Sequence, residues 1–333
     1  MKKKLIILTG PTAVGKTDLS IRLARTVGGE IISADSMQVY RRMDIGTAKI
    51  RPEEMDGVRH HLIDILEPTE SFNAFLFKEY ALKAANEIWE RGCIPIIVGG
   101  TGFYIQTLLY DIEFAKSDEN DGIRDELNKL YEEHGAAFLH DMLAKVDPEY
   151  AAEVHENNVK KVIRAIEFYR QTGHKLSEHN TEQRERTSPY NFEYFVLSDD
   201  RTVLYERIDK RIDKMVEAGL IAEVQALLDE GVDRRSVAMQ GLGYKEIASY
   251  LAGEISLDEA IYILKRDTRH FAKRQLTWFR REKDVDFVEL DKSGSREAAF
   301  EYMLDVFPLS SPSWPTLWPP PTSSASTPAP VWR

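Results

Sequence analysis

The sequence has 333 residues, room for two domains or one core with a large insertion, and its 43% hydrophobic and 30% charged content is that of a folded globular chain. A formal net charge of −11 excludes a surface uniformly coated for a polyanion, though not a local basic face. The single cysteine, Cys93, excludes a disulfide framework and a Cys-rich zinc module; with no apolar run near the roughly 18 residues of a membrane span, the chain is expected in the cytoplasm, away from membranes.

Lys2-Lys3-Lys4 followed by Leu5–Leu8 mimics the charged start of a signal peptide, but the apolar stretch is too short and runs into a glycine motif, so it predicts a buried strand. The motif is Gly10-Pro11-Thr12-Ala13-Val14-Gly15-Lys16-Thr17, a G-x-x-x-x-G-K-T loop between that strand and a helix over Thr17–Val27, where Leu19, Leu23 and Val27 recur at spacing four. The glycines let backbone N–H groups point inward, the helix N-terminus adds partial positive charge, Lys16 adds a full charge and the Thr17 hydroxyl can hold Mg²⁺. A diphosphate or triphosphate site follows. Which phosphate compound it holds, and what attacks it, the loop leaves open. A small-molecule kinase using ATP is one reading of the loop alone, and a non-catalytic nucleotide-binding protein is another.

Glu30–Ala34 is a second strand, Phe75–Trp89 a helix and Ile94–Val98 a third strand. Strands alternating with helices mean crossover units and a parallel sheet, here a P-loop NTPase-like α/β core flanked by helices. An ordinary P-loop ATPase has an Asp after the strand equivalent to Ile94–Val98, yet this one ends in Gly99-Gly100-Thr101-Gly102. The nearest acid is Asp35, directly after the second strand. Read alone, it is either a functional acid or a turn-capping one. Because the carboxyl ends of neighbouring parallel strands share one crevice, the phosphate loop, Asp35 and Thr101 are expected to converge there. His60 and His61 invite a metal reading; with no Cys or third His nearby, hydrogen bonding at the sheet edge is the better one.

From about 114 to 190 no convincing strand occurs. Gly122–Gly135, Ala136–Leu143 and Val159–Gln171 read as helices, the last with Val162, Ile163, Ile166 and Tyr169 on one face. This predicts an all-helical insertion over 114–190 in a core made of 1–113 and 191–307. A strand at Tyr194–Leu197 resumes the core, followed by helices from Val203 to about Gly219, over Gly219–Glu230 and Tyr244–Leu251, and from Leu257 to about Arg281, then a short final strand within Val285–Leu290. Residues 308–333 hold eight prolines and nine Ser or Thr, a composition that forms no regular core element and reads as a disordered or non-native tail.

Several stretches together resemble the bacterial tRNA dimethylallyltransferases of the IPP transferase family. They are Gly10–Thr17, Asp35-Ser36-Met37-Gln38-Val39-Tyr40, Ile45-Gly-Thr-Ala-Lys49, His60-His-Leu-Ile-Asp64 and Gly99-Gly-Thr-Gly-Phe-Tyr104, with Arg207-Ile-Asp-Lys-Arg211, Gly241-Leu-Gly-Tyr-Lys245 and Lys273-Arg274-Gln275-Leu-Thr-Trp-Phe-Arg280 further on. The resemblance runs in order over about residues 4 to 290. It implies transfer of a dimethylallyl group from dimethylallyl diphosphate to the exocyclic amine of the adenosine just 3′ of the anticodon in tRNA. The phosphate loop then holds the prenyl donor's diphosphate, with Mg²⁺ as cofactor, which accounts for the missing acid after the third strand. The implied roles are Lys16 and Arg211 on the pyrophosphate, Thr101 as donor to a leaving oxygen and Asp35 as the base for the amine. Of the two arginines one helical turn apart, Arg211 rather than Arg207 is favoured.

Binding tRNA requires segregated charge. Lys160, Lys161 and Arg164 open one basic helix. Between Lys265 and Lys283 lie eight Lys or Arg against two acids, a local balance of +6, with Arg266, Arg269, Lys273 and Arg280 roughly on one side of a helix. The expected tRNA contacts, to the anticodon stem-loop, are Asp35, Ser36, Met37, Gln38, Thr101, Arg124, Lys160, Lys161, Arg164, Gln240, Gly241, Lys245, Lys273, Arg274, Gln275 and Arg280, with Gln38 and Gln240 as readers of base edges. A monomer suffices for this arrangement.

Overall fold

The computed structural model describes residues 2–114 and 122–306. The proline-rich tail expected over 308–333 lies outside them. The chain divides into two compact units, one holding residues up to Ile105 and from Tyr190 onward, the other Gln106–Pro189.

The first unit is built on a parallel sheet of β1 (Lys4–Thr9), β2 (Gly29–Ala34), β3 (His60–His61), β4 (Ile94–Gly99), β5 (Asn191–Ser198) and β6 (Asp286–Glu289) in the order β3-β2-β4-β1-β5-β6. Ile6 lies opposite Ile96 and Leu8 opposite Phe195, so the middle of the central strands is apolar, as strands covered on both faces must be. Helices α1 (Lys16–Val27) and α2 (Ala74–Glu90) cover it; α2 turns Phe77, Ala81, Ala84, Ala85 and Ile88 inward, a largely small-residue stripe that admits close approach. β3 had not been expected as a strand. Its two histidines sit at the sheet edge: His60 Nδ1 lies 2.9 Å from the Val58 carbonyl and His61 Nε2 2.7 Å from Glu30. Glu30 also takes a bidentate bond from Arg91, and together these partners hold its carboxyl below the usual range despite its burial.

α3 (Gly102–Leu109) leaves the Gly-Gly-Thr-Gly turn. Beyond Ile105 the described part of the second unit is all helical: α4 (Ile123–Val146), α5 (Pro148–Glu153), α6 (Val159–Thr172) and α7 (Leu176–Glu185). α4 is two helical pieces meeting at Gly135, whose φ of 83° interrupts the regular backbone where the sequence breaks. The unit has its own core of Leu127, Leu139, Leu143, Val162, Ile163 and Ile166. Asp147 is buried there, accepting from the Ser177 amide and hydroxyl.

The remaining helices of the first unit are α8 (Arg201–Glu217), α9 (Leu220–Asp229), α10 (Tyr244–Leu251), α11 (Leu257–Phe279) and α12 (Arg296–Val306). The sequence had not marked α3, α5, α7 or α12. Among the described residues no helix is long and apolar enough to cross a membrane.

Candidate active site

The carboxyl ends of β2, β4 and β1 are adjacent, so the three loops that follow them meet at one edge of the sheet. After β1 the phosphate loop turns sharply at Gly10, at φ 145°, where a β-carbon would lie 2.4 Å from the Leu197 carbonyl oxygen. Ala13 and Gly15 are left-handed, at φ 64° and 100°, which gives the run of inward N–H groups that an anion needs. Lys16 Nζ donates to the carbonyls of Gly10 at 2.9 Å and Pro11 at 2.8 Å. Burial, reinforced by repulsion from the Arg211 guanidinium and opposed by attraction to Asp35, pushes this ammonium down to about 7. Arg211 on α8 is likewise lowered by burial and supported by Asp35. Lys16, Arg211 and Asp35 are therefore one electrostatic group, and the structure brings them together as the sequence suggested. Arg207, one turn earlier, is instead engaged with Asp199 at 2.6 Å.

Asp35 begins the turn after β2. Its Oδ1 accepts from the Met37 amide at 2.8 Å and the Gln38 amide at 3.3 Å, so the turn-acid reading is correct for that oxygen, while Oδ2 carries no hydrogen bond among the described residues. The Thr101 amide donates to the Ala34 carbonyl at 3.3 Å, which places Thr101 beside Asp35. Ser36, Met37 and Gln38 are half-buried in the same turn. Met37 packs so closely on Gly241 that a β-carbon there would lie 2.4 Å from its methyl group. The Gln38 amide nitrogen reaches the Thr47 and Ala48 carbonyls at 3.3 and 3.4 Å.

Sequence reasoning missed what holds this turn. Glu223 on α9 accepts three successive amides, Asp44 at 2.9 Å, Ile45 at 2.7 Å and Gly46 at 3.0 Å, and also the Tyr244 hydroxyl at 2.6 Å. Buried against this carboxylate, the Tyr244 phenol is driven far above its ordinary range. Lys49, its ammonium almost wholly enclosed, donates to the Tyr40 carbonyl, Asp44 and Asp64. The Ile45–Lys49 and Gly241–Lys245 stretches carried the signal, but not the fact that they contact each other.

Of the residues expected to meet tRNA in this unit, Lys273, Arg274 and Arg280 are exposed on α11 or at its end, and Gln240 is exposed too. Gln240 and Lys245 line an open groove of about 610 Å³ with Arg234, Arg235 and Glu254. Gln275 requires a correction. It is buried rather than turned toward a nucleic acid, its Oε1 accepting the Thr12 amide at 2.9 Å and its Nε2 donating to the Gly100 carbonyl at 2.9 Å. The Thr12 N–H, an expected anion donor, is thereby already used. The supposed α11 stripe is also shorter than expected: Arg269 pairs with Asp209, Lys265 with Asp213 and Arg266 with Asp267. In the second unit Lys160, Lys161 and Arg164 are exposed on α6, opposite its buried Val162, Ile163 and Ile166, whereas Arg124 is held in a bidentate pair with Glu167.

For Mg²⁺, Thr17 at the first turn of α1 is exposed, and among the described residues its hydroxyl makes no hydrogen bond and no group of three metal-binding side chains occurs. That donor set suits an ion carried in by a diphosphate and touched by one protein oxygen, the usual habit of Mg²⁺.

A profile of the IPP transferases matches residues 38–282, and one of isopentenyl transferases matches residues 3–71. The chain is 61% identical over 302 residues to the tRNA dimethylallyltransferase of Lachnoclostridium phytofermentans, which covers 91% of this chain and 96% of that relative. It is 51% identical over 292 residues to that of Carboxydothermus hydrogenoformans, with 88% and 94% covered. Among solved structures, the full-length tRNA isopentenylpyrophosphate transferase of Bacillus halodurans superposes with a TM-score of 0.70 at 44% identity, over 92% of this chain and 96% of that one. A eukaryotic dimethylallyltransferase acting on tRNA superposes with a TM-score of 0.79 at 31% identity, over 91% and 77%.

Proposed function

This chain belongs to the IPP transferase family, and from that premise we propose that it transfers the dimethylallyl group of dimethylallyl diphosphate to the exocyclic amine of the tRNA adenosine 3′-adjacent to the anticodon. Pyrophosphate is released. The observation that carries this reading is the grouping of Lys16, Arg211 and Asp35 at one end of the sheet, with Thr101 beside them. The group supplies two things, phosphate-binding cations and a carboxylate oxygen that carries no hydrogen bond among the described residues. A site that splits a carbon–oxygen bond and deprotonates an amine needs both.

In the reaction the allylic carbon–oxygen bond breaks, its electron pair leaving with pyrophosphate, and a nitrogen–carbon bond forms. Lys16, the loop N–H groups and Arg211 meet the charge that grows on the leaving oxygens, and the Thr101 hydroxyl donates to one of them. Asp35 Oδ2 takes the proton that the amine loses, while Oδ1 stays tied to the Met37 and Gln38 amides and so fixes the carboxylate's direction. The adenine is stacked in its loop and must be drawn out to reach this edge. Thr17 would hold Mg²⁺ on the diphosphate, adding positive charge at the leaving group. Exposed basic residues on each unit supply phosphate contacts: Lys273, Arg274 and Arg280 on one, Lys160, Lys161 and Arg164 on the other. No second copy of the chain is required.

Incubation of the protein with labelled dimethylallyl diphosphate, Mg²⁺ and unmodified tRNA is expected to place label in the RNA. Label remaining wholly in the small-molecule fraction would overturn the reading. ATP turnover with a small acceptor and no tRNA would establish the kinase alternative instead.

A further inference from the structure

The buried carboxamide of Gln275 stands apart from the surface to which its neighbours Lys273 and Arg274 belong. It is only 6% exposed and has both of its polar atoms in use on backbone groups of two different loops. The carbonyl oxygen accepts from Thr12 in the middle of the phosphate loop. The amide nitrogen donates to Gly100, the residue before Thr101. The carboxamide offers an acceptor and a donor on one rigid plane, whereas an ionised Glu has no donor and Met has only a weak acceptor, so neither can make both bonds. The fit leaves no slack: a β-carbon on Gly100 would lie 2.1 Å from Gln275 Nε2. Three residues further along α11, the Trp278 indole presses on Gly102, where a β-carbon would lie 2.2 Å from its ring. One helix therefore grips the chain on both sides of Thr101 and, through Gln275, holds the phosphate loop as well.

We propose that Gln275 is a positioning residue for the transfer reaction: it sets the distance between the diphosphate cradle and Thr101 and takes no part in reading tRNA. The inference rests on the function proposed above, because it assumes that both loops face one leaving group. Buried hydrogen bonds of this kind resist displacement, since each lost partner leaves a desolvated amide or carbonyl behind. Misplacing reacting groups by about 1 Å costs on the order of 10²-fold in rate.

Three variants test it, with inorganic pyrophosphate, dimethylallyl diphosphate and an anticodon stem-loop as probes. In Gln275→Met both bonds are lost at similar volume; pyrophosphate affinity, read by calorimetry, should fall about tenfold and kcat about 10²-fold, with stem-loop affinity changed by less than about twofold. Gln275→Glu keeps the bond from Thr12, loses the one to Gly100 and adds a negative charge, so pyrophosphate should bind more weakly still. Gly100→Ala displaces Nε2 with no substitution in α11 itself, and should shift kcat and pyrophosphate affinity in the same direction even if a Gln275 variant fails to fold. Unchanged pyrophosphate affinity and kcat in folded Gln275→Met would overturn the proposal, as would a loss confined to stem-loop binding. If the wild-type protein binds pyrophosphate but transfers nothing to tRNA, the function reading fails, while the pyrophosphate comparison still decides the role of Gln275.

Discussion

Lys16 is a conditional cation. Burial and Arg211 hold it at about 7, so near neutrality it is only partly charged until an anion arrives. A bound diphosphate favours the ammonium, and binding above pH 7 must therefore take up a proton. Below about pH 7 the proton is already present and the lysine contributes fully. The affinity lost in Lys16→Met should thus be greatest below about pH 7 and shrink by up to about tenfold per pH unit above it, as followed by pyrophosphate calorimetry. Comparing the two proteins at each pH cancels the ligand's own titration. Asp35→Asn makes a complementary test. The asparagine oxygen can still accept from Met37 and Gln38, so the turn survives, but no base remains; single-turnover transfer should slow by about 10²–10⁴-fold while stem-loop affinity stays within about twofold. Lys16, Asp35 and Thr101 were legible in the sequence, because a glycine-rich loop and the strand ends mark them, and Arg211 only through the resemblance to the family. Glu223 was not, and Gln275 was marked only for a different role, as a tRNA contact. Each works through backbone groups of distant segments, and nothing in a carboxylate or carboxamide at one position reveals which amides it meets.

Among the elements, those with a clear period were legible and the others were not. β1, β2 and β4 hold short apolar runs, and α1, α2, α6, α8, α9, α10 and α11 show helical spacing; each lies close to its expected limits, as does β6, whereas β5 begins at Asn191, three residues before the expected Tyr194. β3 is two residues whose strand character comes only from pairing with Ile31 and Ile32, and α5 is six residues long. α3, Gly102-Phe-Tyr-Ile-Gln-Thr-Leu-Leu109, is apolar nearly all round, so it displays no polar face to identify. The loop from Asp35 to Lys49 is the element on which the site depends most, and it holds its shape without regular structure because Glu223 binds three of its amides. Glu223→Gln keeps one acceptor oxygen but loses the charge. It should destabilise the protein by about 1–3 kcal/mol in urea titrations and depress transfer, while pyrophosphate binding to the separate phosphate loop stays near wild type.

For the whole molecule, the charge of −11 describes the average surface and conceals its distribution. Of the basic residues between Lys265 and Lys283, three are neutralised by Asp213, Asp267 and Asp209, and the exposed remainder begins at Lys273. Lys273→Ala and Arg280→Ala should each weaken tRNA binding and reduce the slope of log affinity against log salt by about 1, whereas Arg269→Ala should leave that slope unchanged. A slope that responds to Arg269 and not to Lys273 would mean that the tRNA lies elsewhere on this unit.

Local rules were enough for the class of fold, the anion-binding loop and the motifs by which the chain resembles its family, since each rests on contacts between residues close in sequence: strand, glycine turn and helix N-terminus. They also placed Asp35 and Thr101 together, because parallel strands deliver their carboxyl ends to one edge whatever lies between them. Only the tertiary structure decided which side chains are withdrawn from solvent to support that edge. It turned Gln275 inward, paired Arg269 and left Arg280 outside, though all three come from one basic stretch. The physical reason is that burial and pairing depend on what packs against a helix face, and those partners, Asp209 for one and Thr12 with Gly100 for another, come from chain segments far away in sequence.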